Sequence, residues 1–349
     1  MQSFTRLTLA LVSLLVCFSM GRAVAQPLED FYRNRSLNFY VGAAPGGGYD
    51  ITARLMAQHF GRQIPGNPSV VVKNMPGASS LQLANYIYNT APKDGSEIGM
   101  PQNTIAFEPL FQILSRSGGN VQFDPRKYGW IGNPVVESMV LIAWHTTPFR
   151  SYKDLLDKTA ILGASGIDTD NAILPTILSR AINARIRLVP GYQGPNDLFI
   201  ALERGEIDAI GATGYSGLMA TKGAWLRERK INVLMQFGLK PDARIPDVPQ
   251  AIDVVGSAQD RSALELIFGK YQLTRSVFAP PGVPADRFAA LRLAFDRMVA
   301  DPAFLAEATR MGLDITPVRG AEIDALLAKS FAAAPEVIDR ARALVSSKN

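Results

Sequence analysis

The chain has 349 residues, more than the ~250 at which a single hydrophobic core stops growing, so two domains are expected. Apolar residues make up 47% and charged residues 19%, the balance of a folded globular chain rather than a disordered one. The net charge of +5 is modest and no basic run carries interleaved aromatics, which speaks against a nucleic-acid partner.

The first 25 residues read as a secretory signal peptide. Arg6 supplies a positive n-region, Leu7 to Met20 is uncharged and apolar, and Ala23-Val24-Ala25 is an A-x-A cleavage site before Gln26. The apolar run is shorter than the roughly 20 residues of a membrane span, which disfavours an anchor. Cys17, the only cysteine, lies inside that run behind the bulky Val16, so it does not make a lipobox and is lost on cleavage. The mature protein is then expected in the periplasm, without disulfide or thiol chemistry.

From there the chain alternates strand-like runs with helical patterns, the signature of an α/β fold. Leu37 to Val41 is a strand, broken by Pro45-Gly46-Gly47-Gly48, and Ile51, Leu55 and Phe60 then recur at helical spacing. Val70-Val71-Val72 reads as a buried strand, Pro76 to Ser80 as a loop, Leu81 to Tyr88 as a helix and Ile98 to Met100 as a strand. A second series starts near Trp130-Ile131. It has strands at Val140–Trp144, Ala160–Gly163, Ile186–Val189, Ile207–Ile210 and Ile231–Phe237. A helix is expected from Ser151, with Asp154 completing a capping box, and another carrying Ile173, Ile177 and Leu178. The tail is helical, with Phe288, Leu291, Leu293, Phe295 and Met298 on one amphipathic helix and starts at Asp301-Pro302 and Ala321.

One loop design occurs twice, as strand, small-residue turn and helix start. Ala44-Pro45-Gly46-Gly47-Gly48-Tyr49-Asp50 is the first and Gly163-Ala164-Ser165-Gly166-Ile167-Asp168-Thr169 the second. Glycines let backbone N–H groups face outward, and a helix N-terminus adds unpaired donors, so each loop can cradle an anion. In open α/β sheets ligands sit at the carboxyl ends of strands, where both loops fall. A tight turn without a ligand explains either loop equally well. Asp50 reads as the N-cap of the helix carrying Leu55. Asp168 reads as a helix cap or as a cleft carboxylate that selects the ligand.

Catalytic motifs are not found. Gly48 is followed by Tyr49-Asp50 rather than Lys-Ser/Thr, and three consecutive glycines do not make a dinucleotide fingerprint. His59 and His145 are the only histidines, one on a helix and one ending a strand, and no nucleophile elbow, zinc motif or carboxylate pair stands out. The chain is therefore read as a non-enzyme without cofactor or metal.

The motifs in order resemble the Bug-type receptors of tripartite tricarboxylate transporters over nearly the whole mature chain. Pro45-Gly46-Gly47-Gly48-Tyr49-Asp50 with Ala53-Arg54 is similar to that family's P-x-G-G-x-x-D…A-R signature. Asn74-Met75-Pro76-Gly77-Ala78, Pro92-Lys93-Asp94-Gly95, Tyr192-Gln193-Gly194, Gly205-Glu206-Ile207-Asp208-Ala209, Asp247-Val248-Pro249 and Ala279 to Pro284 follow in the family's order. The resemblance implies a two-lobe Venus-flytrap binding protein (type II-like) that captures a small organic acid or amino-acid-like ligand and passes it to membrane permease subunits. It implies binding by Ala44 to Asp50, by Gly163 to Gly166 with Asp168 and Thr169, by Gln102 and Asn103, and by Tyr192 and Gly194. Asp168 in place of a glycine and Gln193 in place of a lysine make the cleft less positive and admit a ligand with a cationic or hydroxyl group. The lobes are expected at 27–130 with 240–349, and at 131–239, in a monomer. A ligand sensor for a membrane kinase is the alternative, and a cofactor-dependent enzyme a more distant one.

Overall fold

The computed structural model describes residues 28–116, 118–167 and 169–346; the expected signal peptide and Asp168 lie outside them. The chain opens with α1 (Leu28–Tyr32), β1 (Ser36–Val41), α2 (Gly48–Phe60), β2 (Ser69–Asn74), α3 (Leu81–Asn89) and β3 (Glu97–Met100). It continues with α4 (Thr104–Phe111), α5 (Ile113–Arg116), β4 (Gly129–Asn133) and β5 (Met139–Trp144). Then follow α6 (Asp154–Asp157), β6 (Ala160–Ala164), α7 (Asp170–Ile182), β7 (Ile186–Pro190), α8 (Pro195–Glu203), β8 (Ala209–Gly214), α9 (Tyr215–Arg227) and β9 (Ile231–Phe237). The tail adds α10 (Ala251–Val254), α11 (Ala258–Phe268), β10 (Val277–Ala279), α12 (Ala285–Ala300), α13 (Pro302–Arg310), β11 (Val318–Arg319), α14 (Gly320–Phe331) and α15 (Pro335–Val345).

The strands form two sheets. The first runs β11-β4-β10-β3-β1-β2 and the second β7-β6-β8-β5-β9. Parallel βαβ units set β1 against β2 and β3, and β6 against β7 and β8, while the strands β10 and β5 run antiparallel to their neighbours. This is the two-sheet α/β architecture expected from the alternating pattern. The chain passes to the second sheet after Asn133 and leaves it after Phe237, and β10 and β11 return to the first.

Apolar faces explain the packing. Phe39, Val41, Met56, Phe295 and Phe304 cover one face of the first sheet. Trp144, Phe199, Leu202 and Trp225 cover one face of the second. A third cluster is continuous from Trp130 and Phe278 to Leu141, Leu162, Phe237 and Phe268, so the sheets share a core. The helix α15 ties the two together: Arg342 Nε donates to Leu110 O at 2.7 Å and Arg180 Nη1 to Ala343 O at 2.8 Å.

Several residues differ from their sequence reading. The Val70–Val72 run lies on the edge strand β2, where Val71 is 40% exposed, because β1 pairs it on one side only. Ile51 and Leu293 face solvent, since the buried stripes of α2 and α12 run through Leu55, Met56 and Phe60 and through Leu291, Phe295 and Met298. Asp154 does accept from Ser151 N at 3.0 Å, but α6 begins only at Asp154. His59, on a helix as read, is buried in the last turn of α2, 2.7 Å from Glu307 of α13.

Candidate functional site

The first glycine loop is closed from within. Asp50 Oδ2 accepts from Gly46 N at 2.8 Å and from Arg54 Nε at 2.9 Å, and Oδ1 accepts from Asn74 Nδ2 at 2.9 Å. Asp50 is therefore not the N-cap. Gly47 holds that position, and Asp50, three residues on, reaches back over the first turn. The Arg54 guanidinium first, then the Gly46 N–H and the Asn74 amide, hold its carboxyl at about 2, although burial acts the other way. Gly46 sits at φ +79°, where a side chain would be strained.

The second loop follows the same logic. Ser165 N donates to Asn171 Oδ1 at 3.1 Å and Gly166 N to Thr169 Oγ1 at 3.3 Å. The Tyr192 loop repeats it, with Gln193 N donating to Asp197 Oδ2 at 3.2 Å and Gly194 capping α8. In all three loops a side chain in or next to the following helix takes a backbone N–H, and in the first two that N–H belongs to a loop the sequence suggested for an anion. Short polar side chains compete in this way for backbone donors at helix starts.

A cavity of about 430 Å³ lies between the β3–α4 connection and the start of α7. Its walls include Ser79, Gln102, Asn103, Thr104, Thr169, Asp170 and Lys270, with Leu81, Ile113 and Ile173 as apolar contacts. Of the residues singled out from sequence, Gln102, Asn103 and Thr169 come together here. Ala44 to Asp50, Gly163 to Gly166, Tyr192 and Gly194 do not line this cavity. Tyr49 of the first loop touches the wall residue Asn103, its hydroxyl lying beside that residue's backbone. Burial pushes that hydroxyl up to about 12, against the pull of Arg275 and the Asn103 N–H. Arg275 packs its guanidinium 5.5 Å from the Tyr49 ring and donates from Nε to Gly48 O at 3.3 Å.

The wall before α3 is strained. Ala78, Ser79 and Ser80 are consecutive non-glycine residues at positive φ, from +44° to +71°. Ser80 Oγ donates to Gly42 O at 2.7 Å and accepts from Gln102 N at 3.0 Å, which locks this loop to the ends of β1 and β3.

Sequence reading missed the charged pair in the cavity. Lys270 Nζ donates to Asp170 Oδ1 at 2.5 Å. The lysine side chain is 3% exposed and the aspartate 25%, and the lysine also lies 5.1 Å from the Tyr271 ring. Burial, then the Asp170 charge, pushes the Tyr271 hydroxyl well above its ordinary value. The signal available was a lysine directly after the apolar run Leu266-Ile267-Phe268-Gly269. Its partner, 100 residues away, carried none. Among the described residues no group of three or more His, Cys, Asp or Glu could hold a metal, and no helix is long and apolar enough to cross a membrane.

A ligand-free solute-binding protein of the TctC type from Polaromonas has a similar fold, with a TM-score of 0.67 at 15% identity, covering 90% of this chain and 99% of that one. The Rhodopseudomonas palustris protein MatC with bound malate superposes at 0.56 and 18% identity over 90% and 99%. A second R. palustris protein, solved with adipate, does so at 0.59 and 16% over 90% and 97%. At these identities the likeness is one of fold. No curated protein matches the chain. The model of the tripartite tricarboxylate transporter family receptor, by contrast, matches residues 52–342, and the chain belongs to that family.

Proposed function

We propose that the protein is an exported periplasmic receptor that captures a small organic carboxylate between two lobes and delivers it to membrane permease subunits. The observation that carries this reading is the cavity between the β3–α4 connection and α7. Its volume of about 430 Å³ lies within the ~300–1,000 Å³ of small-molecule sites, and its hydroxyl and amide groups suit carboxylate oxygens. Relatives of the same fold hold malate and adipate. In this reading the chain acts as a monomer and catalyses no reaction. The first lobe carries β1–β4, β10 and β11 and the second β5–β9, and closure brings Gln102 and Asn103 against Thr169. In this reading the glycine loops, Ala44 to Asp50 and Gly163 to Gly166, support the cleft without lining it.

A thermal-shift screen of mono-, di- and tricarboxylates tests the reading. A true ligand at 100 times its Kd adds about 2.7 kcal/mol to stability. Stabilisation by another ligand class, with none by any carboxylate, would overturn it. Genes for two membrane subunits beside this one support delivery to a permease, whereas a neighbouring sensor kinase favours signalling. Mass spectrometry of exported protein should find Gln26 at the N-terminus.

A further inference from the structure

The accessible charge in the cavity belongs to Asp170, not to Lys270. The Lys270 side chain is 3% exposed and the Asp170 side chain 25%, and their contact is 2.5 Å. A molecule entering the cavity meets the carboxylate first, with the ammonium behind it. Asp170 also lines a second cavity of about 150 Å³, bounded by Asn171, Pro195, Leu198, Phe199 and Thr213, so it stands in the wall between two spaces. A buried ammonium is costly unless paired, and this contact gives Lys270 its partner.

From this we infer that Asp170 determines specificity: it accepts a hydrogen bond from a hydroxyl or ammonium that the ligand carries beside its carboxylate, and Lys270 is the positioning residue that holds the Asp170 side chain in place. The inference rests on the carboxylate reading above. It adds a discrimination that an amide- and hydroxyl-lined cavity alone does not supply. An unsubstituted acid brings no donor and leaves a desolvated carboxylate facing it, while a hydroxy or amino acid satisfies that acceptor. Sites built to bond a polar group reject the analogue lacking it, because their own buried group is left unpaired. The opposite arrangement, with Lys270 anchoring the ligand carboxylate, requires the ligand to displace Asp170 from a 2.5 Å contact.

Matched probes separate these cases. Calorimetry on the full mature protein would compare propionate, lactate and alanine, then succinate, malate and aspartate, then glutarate, 2-hydroxyglutarate and glutamate. The wild-type protein should favour a hydroxy or amino member over its unsubstituted partner by at least about ten-fold, the scale of a hydrogen bond to a charged group. The hydroxy and amino arms identify which donor is read. Asp170→Asn should erase most of that ratio while the unsubstituted acid binds as well or better. Lys270→Met should erase it too, and Lys270→Arg, which keeps the positive charge, should retain it. If Lys270→Met does not fold, Asp170→Asn against the wild type still decides the matter. An equal gain for every acid in Asp170→Asn would assign the anchor to Lys270 and overturn the inference, as would an unchanged ratio. Binding of no acid in the panel to the wild-type protein would instead overturn the carboxylate reading, and this inference with it.

Discussion

Asn74 Nδ2 donates to Asp50 Oδ1 at 2.9 Å, joining the end of β2 to the first turn of α2. The same nitrogen donates to Ala43 O at 3.0 Å, and the other Asp50 oxygen holds Gly46 N and Arg54 Nε. One buried carboxylate thus fixes the glycine loop against strand, helix and side chain. Asp50→Asn removes the charge and sets an amide nitrogen against donors. It should cost about 1.5–3 kcal/mol, the scale of hydrogen bonds to a charged group. Urea unfolding measures this, and a change below about 0.5 kcal/mol would show that the loop holds without Asp50.

The same contacts give a pH dependence. Folding lowers the Asp50 carboxyl from its ordinary 3.8 to about 2, with Arg54 as the leading cause. A depressed folded value means that the stabilisation is fully present above the unfolded value and is lost as pH falls from about 4 towards 2. The melting temperature of the wild-type protein should therefore drop more steeply over that interval than that of Asp50→Asn. Parallel curves would contradict the assignment.

Ser80 sets a steric condition on Gly42. A Cβ at Gly42 would lie 2.2 Å from Ser80 Oγ and 2.6 Å from Ser80 Cβ. Gly42→Ala should destabilise by about 1–3 kcal/mol, as overpacking does. Ser80→Gly removes both obstacles and suits the φ of +71° at that position, although it forfeits the bonds to Gly42 O and Gln102 N. In the Ser80→Gly background Gly42→Ala should cost at least about 1 kcal/mol less. Strict additivity in denaturant titrations would mean that the chain relieves the clash elsewhere.

What the sequence made legible follows from how local each signal is. Strand β9 is found at Ile231–Phe237, as read, because seven mostly apolar residues mark it without help from neighbours. Strand β10, Val277–Ala279, is too short for any period, and pairing with β3 and β4, more than 140 residues earlier, creates it. The strand-end rule reached Thr169, in the loop after the parallel strand β6, whereas Gln102 and Asn103 came with the resemblance to the receptor family. It could not foresee the contacts inside the glycine loops, since nothing in a Gly-rich turn says that Asp50 takes the N–H of Gly46 or Asn171 that of Ser165. The Lys270–Asp170 contact joins positions 100 residues apart on separate helical segments, a relation that only the folded chain displays.

The contrast between Val71 and Phe278 turns that lesson into a measurement. Three valines in a row read as a core strand, yet β2 is the edge of its sheet and Val71 is 40% exposed. Phe278 lies in a strand the sequence did not mark, is 0% exposed, and packs 4.4 Å from the Tyr128 ring and 5.5 Å from that of Trp130. Val71→Thr removes little buried surface and keeps a β-branched side chain, so its effect should stay within about 0.5 kcal/mol. Phe278→Ala opens a void between β3, β4 and α3, lined by rings and by the Ile87 side chain near Gly99, and should cost about 3–5 kcal/mol. Both values come from urea denaturation at one temperature, with equal slopes confirming that the same surface is exposed. Similar costs for the two variants would mean that β2 is covered in solution by something that pairs with its free edge.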